Sequence, residues 1–170
     1  MLKVVSGAQT GVDRAALDAA MACGIETGGW CPQGRAAEDG AIPQRYPVRE
    51  LSKAGYRERT LQNVVDSDAT LIIYFDYLSG GTEQTLAFCI DERKPYLLID
   101  AGELGRQRAV ERIVEFIETR DVEVLNVAGP RASGEARAYD FTRAVMASVA
   151  CTVSDKVMEN SDQIKDDDAS

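Results

Sequence analysis

Short apolar runs alternate along the chain with longer segments whose apolar residues or composition have helical character. The apolar runs, which predict strands, are residues 3–6, 25–30, 69–75, 95–99 and 122–127. The intervening segments, which predict helices, are residues 12–23, 57–66, 82–91, 106–119 and 135–149. The run 69–75 is apolar on both faces, so we expect it inside a sheet rather than at its edge.

Strands that alternate with helices through short turns predict an α/β fold with one parallel sheet and helices on both faces. We expect a single domain over residues 1–153. The segment 31–47 is rich in proline and glycine and predicts a long irregular loop, a kind of segment that is often functional. Residues 154–170 include six acids and two lysines and predict a disordered acidic tail.

Composition removes several classes of function. The chain has 170 residues and no histidine, which excludes Ser-His, Cys-His and His-metal mechanisms. A general acid or base would have to be Asp, Glu, Tyr, Lys or Cys. The four cysteines are widely spaced and form no Cys-x-x-Cys pair, so we expect no structural metal.

The net charge of the chain limits the classes of partner that it is expected to bind. A formal net charge of −9 argues against nucleic acid and against anionic membranes. No apolar run approaches the roughly 18 residues of a membrane span and no signal-peptide pattern follows Met1, so we expect a cytoplasmic protein. Residues 1–153 nevertheless contain 14 arginines against three lysines, and arginine binds phosphate and carboxylate groups bidentately.

Ligands of open α/β sheets bind beyond the carboxyl ends of the strands, where the strand order reverses. Four loops rich in glycine or hydroxyl groups occupy such places, at residues 7–11, 30–40, 79–82 and 129–134. The third runs from Ser79 to Thr82 and precedes a helix, whose free N–H groups and dipole attract an anion. It predicts a phosphate site. In the alternative interpretation, Gly80 and Gly81 only make the turn and Thr82 caps the helix.

The first loop matches no standard nucleotide-binding fingerprint. Gly7 and Gly11 lack the Gly-x-Gly-x-x-Gly spacing, and no Gly-Lys-Ser/Thr sequence marks a P-loop. Thr10 and Asp13 have the spacing of a capping box, so one interpretation assigns both to the start of the helix. Gln9 is not explained in that way, and we expect it in the turn beside the ligand cleft.

The long loop contains further candidates. Trp30, the single tryptophan, could stack on a flat heterocycle or act as a packing anchor. Glu38 and Asp39 could bind an amine or amide of a ligand, or could form a solvated run of charge.

Six segments together resemble a known family. They are SGAQTGVDRAALD at 6–18, GGWCPQGRAAEDG at 28–40, RTLQNV at 59–64, SDATL at 67–71, GGT at 80–82 and LNVAGPR at 125–131. In this order they resemble the putative molybdenum carrier family over nearly all of residues 2–149. That family is a branch of the superfamily of lysine-decarboxylase-like nucleotide phosphoribohydrolases and DNA-processing protein A.

The resemblance implies a Rossmann-like three-layer sandwich that assembles as a homo-oligomer, a dimer or a tetramer. It implies a carrier that binds a phosphorylated small molecule, the molybdenum cofactor (molybdopterin), over the glycine-rich loop. In this picture the double glycine holds the phosphate, arginines supply charge, and Gln9, Thr10 and Trp30 face the ring. The expected cofactor-binding residues are Gly7, Gln9, Thr10, Arg14, Trp30, Arg35, Arg59, Ser79, Gly80, Gly81, Thr82 and Arg131.

The same resemblance allows a comparison with the catalytic residues of the phosphoribohydrolase relatives. The phosphoribohydrolase relatives use an arginine, matched by Arg59, and a glutamate, at whose place this chain has Thr85. A hydroxyl carries no charge to stabilise a developing ribosyl cation, so we expect a carrier and assign no catalytic residue. Two alternatives stay open. One is a nucleoside-monophosphate phosphoribohydrolase-like enzyme that uses Asp13, Glu38 or Glu83, and the other is a nucleotide-sensing module.

Overall fold

The computed structural model describes the backbone of residues 1–167 and the side chains of residues 1–154. In the predicted acidic tail, residues 154–170, the backbone of residues 154–167 continues the last helix, and the side chains after residue 154 lie outside the described residues. The disorder of the tail stays a prediction. Among the described residues, none of the helices combines the length and the apolar character that crossing a bilayer requires.

The described residues form nine strands and five α-helices. The strands are β1 (Lys3–Val5), β2 (Glu26–Gly28), β3 (Trp30–Pro32), β4 (Ala36–Ala37), β5 (Gly40–Ala41), β6 (Arg49–Leu51), β7 (Ala69–Tyr74), β8 (Tyr96–Asp100) and β9 (Val124–Ala128). The helices are α1 (Val12–Ala22), α2 (Tyr56–Val65), α3 (Gly80–Asp91), α4 (Arg106–Thr119) and α5 (Ala138–Asp167).

Five strands form a central parallel sheet in the order β2-β1-β9-β7-β8. β7 has a hydrogen-bonded neighbour on each side, as its two apolar faces predict. After β1 the chain adds β2 on one side, crosses to β7 and β8 on the other, and returns to place β9 between β1 and β7. The strand order therefore reverses at the carboxyl ends of β1, β9 and β7, where open α/β sheets bind ligands.

Helices cover both faces of this sheet, which confirms the predicted three-layer α/β fold. Successive side chains of a strand point to opposite faces. Leu71 and Ile73 accordingly join the core beneath α1, α4 and α5, whereas Ile72 joins Val64 and Phe88 beneath α2 and α3. The alanines of α1 that face the core are almost completely buried, so this helix lies close to the sheet.

The prediction of an irregular loop over residues 31–47 was wrong. β3 pairs with β6 in a small parallel sheet, and β4 pairs with β5 in an antiparallel hairpin. Ile42, Tyr46 and Val48 form a separate apolar cluster with Leu17 of α1 and with Cys31. Tertiary contacts therefore order a segment whose composition is typical of a loop.

The predicted strand 25–30 is divided at Gly29. Residues before it belong to the central sheet as β2, and residues after it begin β3 in the second sheet. Gly29 has a φ of +124°, which side chains disfavour, and a Cβ atom there would lie 2.1 Å from the carbonyl oxygen of Ser6. Glycine therefore allows the chain to leave the central sheet at this point.

Candidate functional site

A cavity of about 290 Å³ lies at the carboxyl ends of β1, β9 and β7. Its walls come from the loop between β1 and α1, from α1 and α2, from the first turns of α3, and from β9 and the loop that follows it. Ligand pockets in proteins span about 300–1,000 Å³, so this volume suits a small molecule.

The structure brings eight of the twelve predicted cofactor-binding residues into the wall of this cavity. They are Gly7, Gln9, Arg59, Ser79, Gly80, Gly81, Thr82 and Arg131. The other four, Thr10, Arg14, Trp30 and Arg35, do not line it.

The start of α3 forms one end of the cavity. A Cβ atom at Gly80 or at Gly81 would meet nothing within 4 Å, so space is open beside both residues. The first amides of an α-helix have no carbonyl partner within the helix and favour an anion. The interpretation of Thr82 as the helix cap was wrong, because Ser79 occupies the cap position and Thr82 lies buried in the first turn.

A buried ion pair lies at the other end of the cavity. Arg59 Nη1 donates to Asp13 Oδ2 at 3.3 Å, and the two side chains are 12% and 6% exposed. A Cβ atom at Gly7 would lie 1.7 Å from Arg59 Nη1, so glycine lets the guanidinium group lie against the loop after β1. Burial raises the pKa of Asp13 above its ordinary value, although the charge of Arg59 and the amide of Gln9 oppose the shift.

Two residues that line the cavity each have a buried hydrogen-bond donor without a partner. Among the described side chains, the buried polar atoms without a hydrogen bond are Gln9 Nε2, Arg59 Nε and Thr142 Oγ1. Gln9 and Arg59 both line the cavity. Both donor atoms are almost completely buried, so in this arrangement neither presents its N–H to the open space of the cavity.

Thr10 and Asp13 do not form the capping box that their spacing predicts. The cap residue of α1 is Gly11, and it makes no side-chain capping bond. Thr10 Oγ1 donates to Glu38, which also accepts from the amide and the hydroxyl of Ser133. Burial raises the pKa of Glu38, but these hydrogen bonds outweigh burial and lower it below its ordinary value. The network fastens the β4–β5 hairpin to the loop after β9.

Arg14 and Arg35 do not line the cavity; they form hydrogen bonds and an ion pair with other parts of the chain. Arg14 Nε donates to the carbonyl of Ala8 at 3.0 Å, and its guanidinium group pairs with Asp39. The hydrogen bond from Arg14 lowers the pKa of Asp39. Arg35 donates to four backbone carbonyls of the segment 42–48, at 2.9–3.0 Å. Glu38 and Asp39 are thus bound to other parts of the chain, although the Asp39 side chain is still 48% exposed to solvent.

Trp30 lies in the wall of a different cleft, with a volume of about 390 Å³. Its indole Nε1 donates to Asp66 Oδ2 at 2.7 Å, and its backbone exchanges two hydrogen bonds with the side chain of Asn63. The structure therefore favours the packing-anchor interpretation over stacking on a ligand in the main cavity.

Sequence reasoning missed several residues of the cavity wall. Asn126 lies within the apolar strand β9, is 3% exposed, and donates to Thr70 Oγ1 at 3.2 Å. A polar residue inside a buried apolar run was the signal that could have identified it. Thr85, at the place of the relatives' glutamate, is also in the wall, and its hydroxyl donates to the carbonyl of Gly81 at 2.8 Å.

Comparison with known proteins gives two matches. The model of the circularly permutated YpsA SLOG family matches residues 4–150. A 1.45 Å crystal structure of a putative molybdenum carrier protein from Syntrophus aciditrophicus SB is similar, with 40% sequence identity and a TM-score of 0.85. The match covers 88% of this chain and 94% of that chain. A search of curated proteins finds no match.

Proposed function

This chain belongs to the circularly permutated YpsA SLOG family, and from that premise we propose that it binds and carries a small phosphorylated heterocycle. The molybdenum cofactor is the candidate ligand, because the similar crystal structure is that of a putative molybdenum carrier protein. The observation that carries the proposal is the open glycine start of α3 in a cavity that also contains Arg59 and Arg131.

The charges of the cavity wall favour an anion. Arg59, Arg131 and Asp13 are the charged side chains in that wall. The Asp13 carboxylate is paired with Arg59, and Glu38, which does not line the wall, lies 3.9 Å from Arg131 Nε. The side chains of the wall itself carry one more positive than negative charge when Asp13 is ionised. Helix dipole and arginine charge add at this site, and each favours a phosphate group.

The residues of the cavity fit the molybdenum cofactor in kind. Its terminal phosphate matches the amides of Gly80 and Gly81, beside which space is open. Within the described residues, no group of three or more His, Cys, Asp or Glu side chains could hold a metal ion. The metal of this cargo is carried by the dithiolene sulfurs of the pterin itself.

The variant Gly81→Ala is expected to lose ligand without losing stability. The added methyl group meets no protein atom but fills the space through which a phosphate oxygen approaches the amides. We expect at least a tenfold weaker affinity for the cofactor, about 1.4 kcal/mol, and less cofactor bound per chain. Protein purified from a host that makes the cofactor would be oxidised, and the fluorescent product of molybdopterin measured per chain.

Gly105→Ala is the matched control, because Gly105 also lies at a helix start, as the cap residue of α4, and a Cβ atom there meets nothing within 4 Å. This variant should retain the wild-type amount of cofactor. Wild-type protein with no more fluorescent product than an unrelated protein from the same host would contradict the proposal.

A second candidate function is hydrolysis of the N-glycosidic bond of a nucleoside monophosphate. It is supported by Asp13, the carboxylate among the three candidates that lines the cavity, whereas Glu38 and Glu83 do not. Burial raises the pKa of Asp13, which favours the protonated form that a general acid requires. Release of free base from a panel of nucleoside monophosphates, abolished by Asp13→Asn, would support this function, and a blank panel would reject it.

We extend the proposal to a cytoplasmic location, which the sequence patterns predict, and to assembly as a homo-oligomer, by analogy with the family. Analytical ultracentrifugation measures the assembly directly. A sedimentation coefficient that matches a monomer across the micromolar range would reject that part of the proposal.

A further inference from the structure

We propose that the protein prefers ligands whose phosphate carries a second group, as in a dinucleotide, and that this group binds in a smaller cavity beside the main one. We call the smaller cavity the side cavity. The inference rests on the proposed function, because it places the phosphate of the ligand at the double glycine of α3. It extends the class of ligand from phosphate monoesters to molecules with a group on each side of the phosphate.

The side cavity has a volume of about 210 Å³ and lies at the carboxyl end of β7. Residues 74–77 and Glu135 line the side cavity but not the main one. Four residues line both cavities, namely Ser79, Thr82, Pro130 and Gly134. Ser79 is the cap residue of α3 and Thr82 lies in its first turn, so the two cavities share the helix start at which we place the phosphate.

A phosphate group at this helix start has neighbouring space on two sides. The heterocycle of a monoester fills the main cavity and leaves the side cavity to water. A phosphodiester or a pyrophosphate has a second ester oxygen, through which another group can enter the side cavity. Such a ligand buries more of its surface against the protein while it uses the same helix amides for its phosphate.

The side cavity has an exposed aromatic residue in its wall. Tyr77 is 74% exposed, and a tight turn holds it in place. Its amide donates to the carbonyl of Phe75 at 2.7 Å, across Asp76, which has a φ of +65°. The amide of Asp76 donates to Asp100 Oδ1 at 3.1 Å, which connects the turn to the end of β8. An exposed aromatic ring in a cavity wall offers a surface on which a base or another flat ring can stack.

The charges of the side cavity select an uncharged group. Among the described side chains, the charged ones in its wall are Asp76 and Glu135. Glu135 accepts two hydrogen bonds from the Arg137 guanidinium group, at 2.8 and 2.7 Å, and these hold its pKa at about 2. Asp76 lies 3.5 Å from the same guanidinium group, and its side chain is 65% exposed. Carboxylate oxygens accept hydrogen bonds from hydroxyl and amino groups and disfavour a second phosphate. A nucleoside meets both conditions.

Calorimetric titration of the full chain with guanosine monophosphate, guanosine diphosphate and diguanosine diphosphate tests this inference. The third compound has two guanosines joined by a pyrophosphate, and guanosine diphosphate controls for the charge of the added phosphate. We expect diguanosine diphosphate to bind about tenfold more tightly than either of the others, with one molecule per chain, because its second nucleoside stacks in the side cavity. Tyr77→Ala should lower the ratio of the dinucleotide affinity to the monophosphate affinity about fivefold or more, because it removes the stacking surface.

Tyr96→Ala is the matched control, because Tyr96 is also an exposed tyrosine and lines neither cavity. It should keep the wild-type ratio. Equal affinities for guanosine monophosphate and diguanosine diphosphate would overturn the inference and leave the phosphate site intact. A preference for the dinucleotide that Tyr77→Ala leaves unchanged would place the second nucleoside elsewhere and would also overturn it. Failure of all three compounds to bind would overturn the phosphate site of the proposed function as well.

Discussion

Replacing Arg59 with methionine is expected to weaken the binding of a phosphorylated ligand tenfold to hundredfold and to destabilise the protein at neutral pH. Methionine keeps much of the apolar stem but removes the charge and the Nε donor. A hydrogen bond to a charged group contributes about 1.5–3 kcal/mol, which sets the loss of affinity. Removing one partner of a buried ion pair costs about 3–5 kcal/mol, because the other charge is left uncompensated.

The destabilisation by Arg59→Met should grow with pH. Burial already raises the pKa of Asp13 above its ordinary value of 3.8, against the effect of Arg59. Folding then favours the protonated acid, so this contribution to stability is complete below the unfolded pKa and is lost as pH rises through the folded pKa. Without Arg59 the folded pKa is higher still, and the loss continues to higher pH. Urea unfolding at pH 5, 6.5 and 8 measures the free energy of unfolding of both proteins.

Arg108→Met is the control, because Arg108 lies on the exposed side of α4 and does not line the cavity. It should leave both affinity and stability close to those of the wild type. A constant difference in unfolding free energy between wild type and Arg59→Met from pH 5 to pH 8 would show that Asp13 does not depend on Arg59 for its charge.

Gly29→Ala is expected to destabilise the protein more than alanine substitution of Gly40, Gly81 or Gly105. The φ of +124° strains any residue other than glycine by about 1–3 kcal/mol. The new Cβ atom would also lie 2.1 Å from the Ser6 carbonyl oxygen and 2.9 Å from the Ser6 amide nitrogen, which is a backbone clash. Relieving such overpacking costs about 1–3 kcal/mol more.

Gly40→Ala separates these two contributions. Gly40 has a φ of +113°, but a Cβ atom there would meet nothing within 4 Å. It should therefore show the backbone strain alone. Thermal and urea unfolding of the two variants measure the difference, and equal losses of stability would refute a role for the contact between Gly29 and Ser6.

The sequence predicted most of the fold because the elements of the central sheet carry their own patterns. The two apolar faces of residues 69–75 are needed for a strand that is covered on both sides, and β7 is such a strand. The alanine face of α1 is needed for close packing on the sheet. The failures lie where short segments are ordered by distant partners. Arg35 orders the segment 42–48 by hydrogen bonds to four of its backbone carbonyls, and no local sequence pattern predicts such contacts.

The candidate site was partly predictable for the same reason. The turn at residues 79–82 follows the strongly apolar strand at residues 69–75. Its glycines mark a helix start that an anion can approach. Trp30 and Arg35 misled the prediction, because an aromatic ring or a charge in a glycine-rich loop serves packing as well as binding. Sequence alone does not distinguish these uses, since the difference lies in which atoms each side chain meets.

By itself, the sequence determined the alternation of strands and helices, the family and the residues of the double-glycine turn. Only the tertiary structure decided which of the candidates share a cavity. Gly7 meets Arg59, and Gln9 meets Glu38, across long stretches of chain. The physical reason is the strand order: placing β9 between β1 and β7 brings their carboxyl ends together, and that order depends on long-range packing rather than on any local run of residues.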